Sequence, residues 1–165
     1  TRGGPAFVNS YHLNMVRVDQ DGVSFSGLNT QALLALSSDL SVSEICSLPR
    51  GCHNAMPHQE GILLNDTAAD VVRYVPRSAD QVAVPVPTFH VEELEFRGVD
   101  DSRIARQGFG RGLCVINDRL IAGGSSPSTV SIIDIRAGKR LTAVNLTMDI
   151  RNAIHGLECW PANWG

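Results

Sequence analysis

His12-Leu13-Asn14-Met15 returns along the chain as His53-Asn54-Ala55-Met56, Arg111-Gly112-Leu113-Cys114 and His155-Gly156-Leu157-Glu158, at steps of 41, 58 and 44 residues. The first three copies each lead into an apolar stretch, a polar turn and a second apolar stretch. A period in the low forties, with about four short strands per unit, is the sequence mark of a β-propeller, whose inner strands line a central channel. Packing alone needs no imidazole or guanidinium at the start of every repeat. His12, His53, Arg111 and His155 are therefore candidate site residues at one mouth of that channel.

Each unit can be read strand by strand. The first runs His12 to Asp19, turns at Gln20-Asp21-Gly22, and continues through Val23 to Leu28, Gln31 to Ser37 and Val42 to Leu48. Asp-Gly between alternating residues is a strong hairpin signal. The second runs Asn54 to His58, Ile62 to Asp66, Val71 to Val75 and Val82 to Val86, with Pro85 and Pro87 suited to an outer edge strand that needs fewer N–H donors. The third runs Leu113 to Ile116, Leu120 to Gly123, Thr129 to Ile135 and Leu141 to Leu146. Ile154 to Trp160 then begins a fourth.

The reading is thus an all-β chain: a β-propeller segment of three four-stranded blades, about 12–48, 53–87 and 111–147, plus the first strand of a fourth at 152–161. Residues 88–108 interrupt it, mixing Glu92, Glu93, Glu95, Asp100 and Asp101 with Arg97, Arg103 and Arg106. They read as an inserted loop with a short helix, either solvated or acting as a lid or docking element.

Composition narrows the partners. Net charge is −3, Lys139 is the single lysine, and the arginines are scattered, so no basic stripe offers itself to nucleic acid phosphates. No window approaches the about 18 apolar residues of a membrane span, and no charged-then-apolar leader opens the sequence. Cys46, Cys52, Cys114 and Cys159 lack CxxC spacing, which fits reduced thiols in a cytoplasmic protein better than disulfides. The opening Thr1-Arg2-Gly3-Gly4 carries no Met and reads as a processed chain or a piece of a longer one.

Site chemistry follows from the residue types. Residues two apart on a regular strand share a face, so His12 and Asn14 point together while His53 and His58 point apart. His12, His53 and His155, brought from different blades to one mouth, form a candidate ligand set for a divalent metal. Arg111 favours an anion instead, since its guanidinium grips carboxylate or phosphate in two places. Candidate ligand-binding residues are His12, Asn14, His53, Arg111, His155 and Glu158.

Weaker readings concern Gly123-Gly124-Ser125-Ser126-Pro127-Ser128-Thr129, either an anion cradle or an inter-strand loop, and Cys52 beside His53 as a nucleophile–base pair. Asn65-Asp66-Thr67 and Asn145-Leu146-Thr147 match the glycosylation triplet, a frequent chance match.

His12-Leu13-Asn14, Cys52-His53-Asn54, Phe109-Gly110-Arg111-Gly112-Leu113 and His155-Gly156-Leu157-Glu158-Cys159-Trp160-Pro161 resemble a poorly characterised bacterial family of six-bladed propeller proteins. The resemblance implies that this chain corresponds to the later half of such a protein, and it carries over no catalytic signature. Three blades and one strand do not close a ring. A second polypeptide or a missing segment is therefore expected to complete it, covering edges near Trp160 and Trp164.

Three functions remain open on these grounds: a module binding an anionic small molecule, a metal-dependent lyase or hydrolase in which Glu158 or a histidine moves a proton, and a scaffold subunit.

Overall fold

In a computed structural model, the structure describes residues 11–96 and 106–160. The chain is all-β. Blade one contains β1 (Leu13–Asp19), β2 (Gly22–Gly27), β3 (Ala32–Leu36) and β4 (Val42–Ser47). Blade two contains β5 (Cys52–His58), β6 (Gly61–Asp66), β7 (Val71–Pro76) and β8 (Val82–Pro85). Blade three contains β9 (Phe109–Val115), β10 (Leu120–Ser126), β11 (Thr129–Asp134) and β12 (Lys139–Asn145). Each is an antiparallel meander in sequence order. β5 packs against both β1 and β9, so the first strand of every blade lies on a common axis and starts at the same end. This is the propeller arrangement.

The turns form where short polar side chains can hold the backbone. Asp19 Oδ1 accepts the Asp21 N–H at 2.9 Å, and Gly22 takes φ 121° to close the first hairpin. Asn117 Oδ1 accepts the N–H groups of Arg119 and Leu120, both at 2.9 Å. Buried Asp134 accepts from Arg136 and Ala137 N–H and from Arg119, which together hold its carboxyl at about 2. Such side chain–backbone bonds favour turns over continued strand.

Two cores lie between the blades. Leu33, Leu48, Cys52, Ala55 and Leu64 fill the space between blades one and two. Met56, Leu63, Val72, Tyr74 and Val84 meet Leu113, Ile121, Ile133 and Ile135 between blades two and three. Leu63 and Leu64 are neighbours on β6, so they point to opposite faces and serve opposite cores. Blade two is therefore buried on both sides, which explains the unbroken Ile62-Leu63-Leu64 run.

Blade one's other face is different. Register places Val16 opposite Phe25 and Val18 opposite Val23, with Leu34 and Leu36 beyond them. Val16 and Val18 are 65% and 74% exposed among the described residues. This face repeats the apolar pattern that blade three presents to blade two.

Several sequence expectations change. β9 starts at Phe109 and β10 runs on to Ser126, further than the glycines there predict. Ser125, Ser126 and Thr129 are buried in or beside the ladder, so that stretch is not an open anion cradle. Small residues are needed because the C-terminal segment crosses closely: a Cβ on Gly124 would stand 2.6 Å from Ile154.

Residues 152–160, expected as a fourth blade's first strand, pair with no strand among the described residues. The Ile154 N–H donates to Ser125 O at 3.3 Å, but a first strand needs a second beside it, and none follows among the described residues. The inserted loop is described up to Phe96 and from Arg106. It holds one 3-10 turn, Val91–Glu93, and a parallel bridge between Glu95 and Asp149. Arg97, Asp100, Asp101, Arg103, Pro161 and Trp164 lie outside the described residues, and Trp160 is exposed. Asn65, in a glycosylation triplet, is fully buried. No helix among the described residues is long and apolar enough to cross a membrane, which leaves β-barrel spans unaddressed.

Candidate functional site

The four aligned residues meet. Each inner strand carries a bulge near its start, between Leu13 and Met15, between His53 and Met56, and opposite Gly124 and Ser125 at Arg111. Bulges re-aim side chains next to sites. His12 and Asn54 also adopt φ 46° and 52°, a left-handed conformation uncommon outside glycine. The His12 and His53 rings meet edge to face at 6.4 Å between centroids, and His53 meets Phe109 at 5.8 Å. The guanidiniums of Arg111 and Arg106 lie 4.4 and 4.6 Å from the Phe109 centroid. Arg111 Nη1 stands 3.0 Å from His155 Nε2.

Arginine can only donate, so His155 Nε2 accepts and the imidazole is neutral in that arrangement. Burial lowers the His155 pKa first, and the charge of Arg111 lowers it further. His53 directs Nδ1 to the Gly51 carbonyl at 3.4 Å; a carbonyl only accepts, so that nitrogen carries the proton. Burial pushes His53 down to about 4 against the opposing Gly51 bond, with Arg111, His12 and His155 adding repulsion. Arg111 itself is lowered by burial and then by Arg106. Among the described residues, the side chains whose charged forms act on His53 are Arg111, His12 and His155, each of which opposes its protonation.

No family model matches this sequence, and no curated protein matches it. Among solved structures, the chain is similar to a selenomethionine-substituted virginiamycin B lyase from Staphylococcus aureus, at 10% identity and TM-score 0.40, over 73% of this chain and 40% of that one. It is similar also to a catalytically inactive form of that lyase with quinupristin, at 9% identity and TM-score 0.41, over 74% and 41% of the two chains. This chain thus spans about two-fifths of the length of those structures.

Other predicted site residues go elsewhere. Asn14 donates from Nδ2 to Cys52 O at 3.2 Å and accepts from Asn54 N–H at 3.3 Å, so its amide joins blade one to blade two. The shared face expected for His12 and Asn14 is lost because the bulge lies beside Asn14 and His12 is left-handed. Glu158 lines an axial trough of about 550 Å³ together with His155, Asn54 and Leu113. Its charge raises the Cys114 thiol and is absent from the influences on His53, Arg111 and His155.

Among the described residues, no three His, Cys, Asp or Glu side chains are grouped to hold a metal ion, including His12, His53 and His155. Cys52 is buried and pushed up to about 12, chiefly by burial, so it stays a thiol at neutral pH and does not serve as a nucleophile for His53. His58 packs on Tyr74 in the core.

A larger cleft of about 610 Å³ opens between blades one and two; of its two lining arginines, Arg73 is held by Asp66 at 2.8 Å and Gln81 at 2.9 Å and Arg77 is exposed, and Glu60 and Asp66 add negative charge. The cluster around Phe109 likewise contains a held cation, since Arg106 pairs with Asp70 at 2.6 Å, while Arg111 lies beside His155. Phe109 and Arg106 were not among the residues singled out for the site. The Phe109-Gly110-Arg111 stretch signals them only once β9 is known to begin at Phe109.

Proposed function

We propose that this chain is part of a β-propeller that binds a small anion, a carboxylate, phosphate or sulfate group, at the axial mouth. The observation that carries the reading is the Arg111–His155 contact at 3.0 Å beside His53, which burial lowers first and Arg111, His12 and His155 lower further. An anion that accepts from Arg111 and displaces its contact with His155 would leave the His155 ring able to protonate and donate, and His53 would gain a reason to protonate. Binding then takes up protons. Affinity therefore rises as pH falls from about neutral toward the His53 value of about 4, by up to about tenfold per pH unit for each proton taken up. Sulfate is the suitable probe, because its own charge is constant over that range. Calorimetry at pH 7.5 and 5.5 is expected to show tighter binding at the lower pH with net proton uptake; equal affinity at both would contradict the reading.

The reading includes a partner. Blade one's apolar face fits a preceding blade, supplied by a second polypeptide or a further segment, as in a six-bladed ring of the bacterial type. The four cysteines lack CxxC spacing, and the reading places them as resting thiols in the cytoplasm. Isolated chain is expected to self-associate at micromolar concentration in sedimentation, because large exposed apolar faces recruit partners. A cooperative, soluble monomer would contradict this.

A further inference from the structure

We propose that Cys114 and Cys159 form a reversible disulfide that staples the 152–160 segment across blade three. Its consequence for ligand binding, that oxidation fixes His155 at the axial mouth, rests on the anion reading.

The geometry is local and specific. Cys114 Sγ lies 3.4 Å from Cys159 Sγ across 45 residues of chain. Cys114 is buried on β9, while Cys159 is exposed and open to a soluble oxidant. The 152–160 segment is held outside any sheet. Among the described residues it has no ladder, two backbone bonds, from Asn152 N–H to Asp149 O and from Ile154 N–H to Ser125 O, and side chains of Ile154 and Leu157 resting over Gly112 and Gly124. His155, four residues before Cys159, meets Arg111 from this same segment. Closing the sulfur pair would therefore convert a loosely held strap into a fixed one. Cys46 and Cys52 offer no comparable exposed partner, since Cys52 is buried and Cys46 is partly so.

The oxidant belongs to the class of low-molecular-weight disulfides. The Cys159 thiolate attacks one sulfur of that disulfide, breaking its S–S bond and releasing one small thiolate. Cys114 then gives its proton to solvent and attacks the Cys159 sulfur, and the second small thiol leaves. Two protein thiols are oxidised by two electrons, and one small disulfide is reduced to two thiols. Burial chiefly raises Cys114 to about 11, so the second step accelerates with pH below that value.

The test treats the full chain with oxidised glutathione and maps thiols by alkylation and peptide mass. A Cys114–Cys159 linked peptide is expected, with Cys46 and Cys52 still alkylated. Trypsin cleavage after Arg151 should slow severalfold on oxidation and recover with reductant. Sulfate affinity should tighten severalfold, because a competent state partly populated before becomes fixed. Cys159→Ser, an exposed and mild change, should remove all three responses. Absence of the linked peptide, or a linked peptide with unchanged cleavage, would overturn the staple. If link and protection appear while neither form binds sulfate, the staple stands and the anion reading falls.

Discussion

Arg111→Ala should weaken sulfate binding by between about ten- and a hundredfold, the loss expected when hydrogen bonds worth about 1.5–3 kcal/mol to a charged ligand are removed. The reason lies in the position of Arg111. It stands at the β9 bulge, over Phe109 and beside His155, and its charge lowers both His53 and His155. The substitution therefore has a second signature. His53 and His155 should rise toward ordinary histidine values in the free variant, since a positive neighbour has gone. Arg111→Lys should fall between wild type and alanine, because an ammonium keeps charge but loses the planar fork. Calorimetry with sulfate reads the affinity, and an Arg111→Ala chain that binds as tightly as wild type would remove Arg111 from the site.

Leu63→Ala should cost about 2–5 kcal/mol of stability, the usual range for emptying a buried leucine position. Leu63 is fully buried between blades two and three, among Met56, Val72, Leu113 and Ile121. Blades share no covalent links besides the chain, so these cores are what couple one sheet to the next. Leu64→Ala should cost a similar amount on the opposite side of the same strand, against Leu33 and Ala55. Val18→Ala, on the exposed face of blade one, should change the stability of the chain by no more than about 0.5 kcal/mol at concentrations below those of self-association. Denaturant unfolding of the three variants checks the ordering. A Val18→Ala loss as large as that of Leu63→Ala would mean that the open face is covered within this chain.

Most of the blade plan was legible because hairpin chemistry is local. Asp21-Gly22, Asn117-Asp118 and Ala137-Gly138-Lys139 place turns by φ and by Asx-type bonds that need no knowledge of the rest of the molecule. The convergence of His12, His53, Arg111 and His155 was legible from the repeat, since equivalent positions in equivalent blades face one axis. The bulges were not. His12 and Asn54 are residue types that tolerate the left-handed region, but nothing local sets them there against the extended backbone of a strand start; the neighbouring blades do. That override turned Asn14 away from the site and into the joint with Cys52. The glycine-rich start of β9 and end of β10 also misled, because glycine weakens strand propensity. Its role here is to let Ile154 and Leu157 pass close by, a contact between residues distant in sequence. The grouping around Phe109 needs the same long-range register, so Arg106 could not be placed beforehand.

The axial anion site is tested most directly by following the imidazole signals of the five histidines through a pH titration by NMR, with and without sulfate. In the free chain, His53 should titrate near 4 and His155 below its usual value. Saturating sulfate should raise both, His155 through direct contact and His53 through the neutralised field, while buried His58 on the far side of blade two should keep its own titration. Sulfate that moves none of these signals, or moves His58 as much as His53 and His155, would contradict an anion site at the axial mouth.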